Sequence, residues 1–201
     1  MIKNKLFVLS GNKIIKQAMS FAILLTIISC KPVIRTKNDL IKYISDPANG
    51  LRQEKQINSI TISCLYQPVA LHPKSFNAKI EDKKTTNRAC FILSLAKDNK
   101  ELLNQLNYNL YSEMVQVLSF RMPLYVSLII EGKEPIIPLD VFFQQTYGLS
   151  NSNNVLLIFD KAQIANTNEF KIRIKEFGLD IGNVVFGYKS KDLLFTDKII
   201  N

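Results

Sequence analysis

The sequence predicts an α+β fold: a mostly antiparallel sheet or sandwich of six to eight strands with two or three helices, preceded by a cleaved signal peptide. Several segments of five to eight residues alternate apolar and polar side chains, which is typical of half-buried strands. Few segments have helical spacing and no strand–helix–strand unit recurs, so a doubly wound parallel sheet is not expected. With 47% hydrophobic and 21% charged residues, the 201-residue chain has the composition of a folded protein.

The helices are predicted where apolar residues recur at intervals of three and four. Thr36 caps the first helix, which ends at Asp46, and Leu40, Ile41 and Ile44 form its apolar stripe. The second helical segment spans 101–119, where Asn107 can divide it in two.

The strands are predicted from alternation and from short apolar runs. Single strands are expected at 57–66, 89–96, 155–159, 170–175 and 184–188. The segments 124–130 and 136–143, separated by Glu131, Gly132 and Lys133, are typical of a β-hairpin.

Residues 1–29 are expected to be a signal peptide. They hold four lysines and no acid, and the apolar run 18–28 is only 11 residues long. A helix that crosses a bilayer needs about 20 apolar residues, whereas a positive segment before a short apolar core is typical of a secretory signal.

The end of this segment resembles the lipobox of bacterial lipoproteins, in the sequence Leu25-Thr26-Ile27-Ile28-Ser29-Cys30. The resemblance implies cleavage between Ser29 and Cys30, a diacylglycerol on the Cys30 thiol, and an N-acyl chain such as palmitate on the new amino group. We expect residues 30–37 to be a lipid-bearing tether and 38–201 a single α+β domain. The alternatives are an uncleaved signal anchor or a buried N-terminal helix that contains a chance cysteine.

Four further segments are similar to an uncharacterised lipoprotein family of Bacteroidota: 38–44, 49–51, 113–122 and 146–148. This resemblance implies a bacterial cell-envelope setting and no catalytic residue. No acid occurs in the five residues after Cys30, where acids would resemble a surface-export signal in such bacteria. We therefore expect lipid anchoring in the outer membrane, with the body facing the periplasm.

The charge of the chain is positive and uneven. Removal of residues 1–29 lowers the net charge from +9 to +5, because that segment contains four lysines and no acid. Residues 30–100 hold 13 basic and 6 acidic side chains, whereas 101–160 hold 2 basic and 6 acidic ones. The basic part could be attracted to anionic headgroups or could be ordinary solvated lysines. Nucleic-acid binding is not expected, because no nucleic-acid-binding module is present.

Candidate catalytic residues are few. His72 is the one histidine, so any Ser–His or Cys–His chemistry would have to use it, although a loop histidine is more often structural. Asp140, Asp160 and Asp180 lie near predicted strand ends and could supply a carboxylate pair for glycoside hydrolysis. No catalytic, cofactor or metal site is assigned, and whether the chain is an enzyme is left open.

Two cysteines and four aromatic residues remain. Cys64 and Cys90 fall in predicted strands, where they form either a cross-strand disulfide or two separately buried thiols.

Phe142, Phe143, Tyr147 and Tyr188 could form a binding surface, although aromatic residues in strands are more often part of the core. The turn 178–183 carries two glycines but precedes a strand, so it lacks the anion-binding geometry of a helix start.

These observations favour a membrane-anchored envelope lipoprotein that is a non-catalytic partner-binding or structural subunit of an envelope assembly. Strand edges and the polar loop 148–154 are the expected contact surfaces. The alternatives are a periplasmic module that binds a small ligand or a glycan, and a carboxylate-dependent hydrolase. A cavity of several hundred Å³ with convergent polar groups would favour the binding module.

Overall fold

The computed structural model describes residues 34–72 and 87–199, and it confirms an α+β fold built on antiparallel sheets. The predicted signal peptide and Cys30 lie outside the described residues. Nine strands and four helices are present in the described part of the chain. The strands are β1 (Arg52–Ile57), β2 (Ile60–Gln67), β3 (Arg88–Lys97), β4 (Lys100–Glu101), β5 (Val126–Ile129), β6 (Asp140–Phe143), β7 (Asn153–Asp160), β8 (Glu169–Ile174) and β9 (Val184–Lys189). The helices are α1 (Lys37–Ser45), α2 (Tyr108–Gln116), α3 (Lys161–Ala165) and α4 (Ser190–Ile199).

The nine strands form two sheets. The larger sheet has the order β1-β2-β3-β7-β6, and the short β4 also pairs with β3. The smaller sheet has the order β5-β8-β9, and every pairing in both sheets is antiparallel. The edge strands of the larger sheet are therefore β1 and β6.

Aromatic side chains pack the smaller sheet against one face of the larger one, here called the inner face. The ring of Phe91 on β3 lies 6.0 Å from that of Phe170 on β8 and 5.2 Å from that of Tyr188 on β9. The Tyr188 hydroxyl donates to the Cys64 carbonyl on β2 at 2.8 Å, so the polar end of this buried ring is satisfied.

Side-chain amides join the two sheets at their margins. The Gln53 carbonyl oxygen accepts from the Gly187 N–H at 3.1 Å, and the Gln53 amide nitrogen donates to the Gly187 carbonyl. Gln53 on β1 thus gives β9 the pair of hydrogen bonds that a neighbouring strand would give. Asn58 likewise donates to the Asp180 carbonyl at 2.8 Å.

Helix α1 confirms its predicted cap. The Thr36 hydroxyl accepts from the Asp39 N–H at 3.1 Å, and the Asp39 carboxylate accepts from the Thr36 N–H at 3.0 Å. This reciprocal capping box satisfies two N–H groups that a helix start leaves without partners. Leu40 and Ile44 are buried, as the predicted stripe requires, whereas Ile41 is 47% exposed.

The predicted strand 57–66 covers the last residue of β1 and most of β2, which are two separate strands. Asn58 and Ser59 both have positive φ, 48° and 64°, and form the two-residue turn between β1 and β2. Strand β1 carries no apolar alternation, because its sequence Arg-Gln-Glu-Lys-Gln-Ile lies at a sheet edge. Its side chains therefore gave no periodic signal.

The predicted hairpin of 124–130 with 136–143 is wrong. Strand β5 pairs with β8 in the smaller sheet, and β6 pairs with β7 in the larger one, so the two segments separate. A single bridge between Leu128 and Ile136 is all that joins them as paired residues in the described structure. Pro135 precedes Ile136 and Pro138 follows two residues later, and neither has an N–H to donate, so a longer ladder cannot form.

The predicted helical segment 101–119 divides where Asn107 indicated. Asn107 caps α2 by accepting from the Leu110 N–H at 3.0 Å. Beyond α2 the chain continues as a π-helical turn, Val117–Arg121, and then a 3₁₀ turn, Met122–Leu124. Both turns contact β6 and bury Val117, Leu118 and Met122 in the core.

Candidate functional site

A groove of about 830 Å³ lies on the outer face of the larger sheet. Its floor is a row of apolar side chains across three strands, because Ile92 on β3 is paired with Leu156 on β7, which is paired with Phe142 on β6. The residues that line it are Gln67, Arg88, Ile92, Asp140, Phe142, Phe143, Gln144, Thr146, Asn154 and Leu156. An apolar floor with a few polar side chains around it is typical of small-molecule sites.

Hydrogen-bond donors converge on this groove. The Asn154 carbonyl oxygen accepts from the Ser94 hydroxyl at 2.6 Å and from the Ser152 hydroxyl at 2.9 Å. These two bonds fix the amide, and its NH₂ group makes no hydrogen bond to the described residues. The half-buried Arg88 guanidinium makes none to them either. The groove therefore suits a ligand with acceptor groups around an apolar body.

The three candidate carboxylates are not brought together. The register places Asp140 and Asp160 on the same face of the sheet, one row apart. Asp160 is the N-cap of α3: one of its oxygens accepts from the Ala162 N–H at 2.9 Å and from the Asn87 amide at 2.7 Å. Asp180 has a left-handed conformation, φ 54°, in the turn before β9. No two of the three acids flank an enclosed site among the described residues.

A partly buried polar cluster forms around Asp197 on α4, and sequence reasoning missed it. The Tyr66 hydroxyl lies 2.9 and 2.8 Å from its two oxygens, and the Lys161 ammonium lies 2.6 Å from one of them. Burial, with the neighbouring Asp197 charge, raises the pKa of Tyr66 far above its usual value, so this phenol stays a proton donor. The cluster fixes α4 and α3 to β2.

His72 lies beside this cluster and is buried, with 8% of its surface exposed. Burial lowers the pKa of the imidazole, and a hydrogen bond to the Gln67 carbonyl and the Asp197 charge offset this only in part. A neutral, backbone-bonded imidazole in this position is structural. Among the described residues, the Cys90 thiol does not supply a thiolate for His72, because burial raises its pKa to about 12 in spite of the nearby Arg88.

Cys64 and Cys90 are two free, buried thiols. Cys64 is paired with Leu93 and shares its face, whereas Cys90 is three residues from Leu93 and points to the opposite face. The sheet itself thus separates the two sulfur atoms. The register of β2 and β3 therefore excludes a disulfide between Cys64 and Cys90.

Glu101 on β4 anchors the loop that follows β6. Its carboxylate accepts from the Thr146 hydroxyl at 2.5 Å, the Gly148 N–H at 2.9 Å and the Ser150 N–H at 3.1 Å. Burial alone would raise the pKa of Glu101, but these hydrogen bonds outweigh it and leave the pKa below its usual range. The polar loop at 148–154 is therefore held at several points by one carboxylate.

The exposed apolar side chains are concentrated near β6. Seven of them lie on the two turns after α2 and on 137–149; we call this set the β6 surface. It consists of Phe120, Leu124, Ile137, Leu139, Phe142, Tyr147 and Leu149, with exposed fractions from 48% to 92%. The π and 3₁₀ turns contact β6, and Gln145 donates to the Tyr111 hydroxyl on α2 at 3.3 Å, so the two segments adjoin.

Of the four candidate binding aromatics, two are exposed. Phe142 and Tyr147 belong to the β6 surface, at 48% and 75% exposed. Tyr188 is buried between the sheets and Phe143 is partly buried against the core. The exposure of the aliphatic residues in this surface could not be predicted from the sequence, because it depends on which strand pairs with β6.

Within residues 34–72 and 87–199, no cluster of three or more His, Cys, Asp or Glu side chains could hold a metal ion. None of the described helices has the length and apolar character needed to span a bilayer.

The comparisons with known proteins identify no relative. No family model, curated protein or solved structure matches this chain.

Proposed function

We propose that this protein is a membrane-anchored lipoprotein of the bacterial cell envelope that binds a protein partner and catalyses no reaction. In this proposal a lipid on Cys30 holds the body at the outer membrane, facing the periplasm, and the β6 surface is the contact site. The support comes from the lipobox-like sequence at one end of the chain and from the exposed apolar side chains at β6.

The observation that carries the binding role is the anchored loop after β6. It presents Tyr147 at 75% and Leu149 at 92% exposure, while Glu101 holds its backbone. Exposed apolar groups on a rigid support bind with a smaller entropy cost than the same groups on a mobile loop. Large exposed apolar patches on a folded protein commonly mark interaction sites.

The acidic and nucleophilic side chains described above support a non-catalytic role. Glu101 and Asp197 use their oxygens to fix a loop and a helix, and Cys90 is a buried thiol of high pKa. Groups committed in this way are structural, because a general base or nucleophile must reach a substrate.

The anchor is tested by Cys30→Ala in the full chain. Without the thiol no diacylglycerol can be attached, so the precursor should keep its signal segment and yield no lipid-modified product by mass spectrometry. The matched control is Cys64→Ala, which removes a thiol that the structure buries in the sheet. A Cys30→Ala protein that is processed and lipidated like the parent would overturn the anchor.

The contact surface is tested by a photo-crosslinking residue at position 149 of the lipidated protein in its own envelope. We expect a discrete crosslinked protein band, lost when Tyr147→Glu is added. A probe at Lys100, exposed on β4, is the matched control and should give no such band. Equal crosslinking from both positions would show that the β6 surface is no specific contact site.

A second candidate function is supported by the groove. Its volume, its apolar row and the NH₂ group of Asn154 suit a small ligand or a sugar. Soaking crystals of the protein in a library of small molecules should place one on this floor. Binding that persists in Ile92→Glu, which puts a charge in the row, would contradict the assignment.

A further inference from the structure

We infer that the outer face of the smaller sheet lies against the anionic headgroups of the membrane that holds the protein. This inference rests on the proposed lipid anchor and specifies which side of the body meets the bilayer. We call this side the basic face. Its cations are Lys171, Arg173, Lys175 and Lys189, which lie on β8, directly after it and on β9.

Alternation along β8 places its basic residues on one side of the smaller sheet. Phe170, Ile172 and Ile174 are buried in the core, and the Phe170 ring packs on the larger sheet. Successive side chains of a strand point to opposite faces, so Lys171 and Arg173 point away from the larger sheet. The central strand of the smaller sheet thus presents positive charge on its outer side.

The outer faces of the two sheets differ in charge. On the strands of the smaller sheet, Lys171, Arg173 and Lys189 stand against Glu169, a net charge of +2. Beyond these strands, Lys175 and Glu131 balance each other. The strands of the larger sheet give their outer face a net charge of −1, from Arg52, Arg88, Glu54, Asp140 and Asp160. An anionic surface is therefore attracted to the smaller sheet.

The cations of the basic face form no ion pair with the residues that the structure describes. Lys189 is paired with Glu169 in the register, but their charged groups are too far apart for a salt bridge. On the larger sheet, by contrast, the Arg52 guanidinium lies 2.9 Å from the Glu54 carboxylate. The positive charge of the basic face is thus available to an external anion.

Two donors on this face are buried and lack an acceptor. Ser127 on β5 is paired with Arg173 on β8, so the two side chains are neighbours on the face. Neither the Ser127 hydroxyl nor the Arg173 Nε–H makes a hydrogen bond in the described part of the chain. Buried donors without acceptors are costly, and arginine binds phosphate oxygens well. A headgroup phosphate would give this row the acceptor that it lacks.

The short tether brings the body close to the bilayer. Ile34, the first described residue, packs against the core and follows Cys30 by only four residues. Four extended residues span about 13 Å, so some face of the body must lie near the headgroups. With the smaller sheet on the membrane, the larger sheet is the distal layer. The loop after β6, bonded to Glu101 of that sheet, then remains accessible to a protein partner.

A fluorophore on Gly187→Cys tests this contact in the lipidated full-length protein. Position 187 is exposed on the basic face, and a Cβ there would meet no atom within 4 Å. Cys64 and Cys90 are buried and should stay unlabelled. Vesicles of phosphatidylcholine with about 30% phosphatidylglycerol should let a headgroup-attached quencher act at least threefold more strongly than pure phosphatidylcholine vesicles. Glu169→Cys, exposed on the same face, repeats the measurement without changing the glycine.

Matched variants separate the basic face from the rest of the body. A label at Gln56→Cys, exposed on the outer face of the larger sheet, should be quenched alike in both kinds of vesicle. Lys171→Gln with Lys175→Gln should abolish the increase at position 187, because two of the four cations are lost. Lys191→Gln with Lys198→Gln removes the same charge from exposed positions of α4 and should leave the increase unchanged.

Three results would overturn the inference. The first is equal quenching at positions 187 and 56, or equal effects of the two lysine pairs. The second is loss of the increase in about 10 mM inorganic phosphate at constant ionic strength, which would identify a small-anion site instead of a lipid contact. The third is a chain without lipid on Cys30 by mass spectrometry, which removes the anchor as well. A lipidated protein that fails the quenching test leaves the anchor standing and refutes the orientation alone.

Discussion

At the residue scale, buried and half-buried carboxylates hold loops and turns in place by accepting several hydrogen bonds each. One oxygen of Glu176 accepts from the N–H groups of residues 177–180, and the other accepts from Gly182 at 2.6 Å. Burial alone would raise the pKa of Glu176, but these bonds outweigh it and lower the pKa. Glu101 holds the loop after β6 in the same manner.

Replacement of Glu101 by Gln should loosen that loop. An amide cannot accept from all the groups that now bond the carboxylate, so at least one buried donor loses its partner. We expect the free energy of unfolding to fall by about 2 kcal/mol. Denaturant titration measures this, and the amide hydrogens of Gly148 and Ser150 should exchange faster. The exposed Glu134→Gln is the control; equal losses in both variants would contradict the anchoring role.

Acid should destabilise the fold through the same two groups. The folded pKa values of Glu101 and Glu176 are lowered from 4.5, so their contribution is complete above pH 4.5 and disappears as the pH falls through the folded values. Unfolding free energies measured from pH 6 down to pH 3 should therefore decline. The decline should be shallower in Glu101→Gln/Glu176→Gln; an unchanged slope would assign the acid sensitivity to other groups.

Whether a side-chain contact could be predicted from the sequence depends on how far apart its two residues lie along the chain. The Thr36–Asp39 capping box was predictable because both partners lie within one helical turn. Glu101 and Gly148 are 47 residues apart, and nothing in either segment indicates the other. Cys30 was also found from local sequence, and its lipidation stays a prediction because it lies outside the described residues.

At the element scale, strand register decides what the cysteines can do. The pairing of Cys64 with Leu93 places Cys90 on the other face of the sheet. Sequence reasoning located both strands but could not choose between a disulfide and two separate thiols, because a single sequence does not show the register in which two strands pair. It missed β1 and wrongly paired 124–130 with 136–143 for a related reason: the choice of partner depends on contacts between distant elements.

The two thiols should therefore remain unlinked and unreactive in the folded protein. Burial raises the pKa of each to about 12, so almost no thiolate exists at pH 7. A thiol reagent should modify neither Cys64 nor Cys90 until denaturant unfolds the chain, and mass spectrometry after oxidation should find no bond between them. A 64–90 disulfide in native protein would show that the register is different.

At the scale of the whole molecule, the two sheets should unfold together. Phe91 and Tyr188 pack across the interface between them, and Gln53 and Asn58 bond across its margin. The α+β architecture was predictable because periodicity reports element type. The division into sheets of six and three strands was not, because residue spacing carries no information on which strands share a sheet.

Gln53→Ala tests this coupling. It removes both side-chain bonds to Gly187, so we expect a loss of about 1–2 kcal/mol of unfolding free energy, with a single transition retained. Gln56→Ala, on the same edge strand and exposed, is the control. Two separate transitions, or faster amide exchange in β9 without loss of global stability, would show that the sheets are independent units.

The amide of Gln53 has one more consequence, for where a further strand could be added to the sheets. In the part of the chain that the structure describes, it covers the margin of β9, Ile136 bridges β5, and charged side chains line β1, so these three sheet edges are protected against strand addition. Addition of a strand at any of these three edges would first require the contact or the charges that now cover it to be displaced.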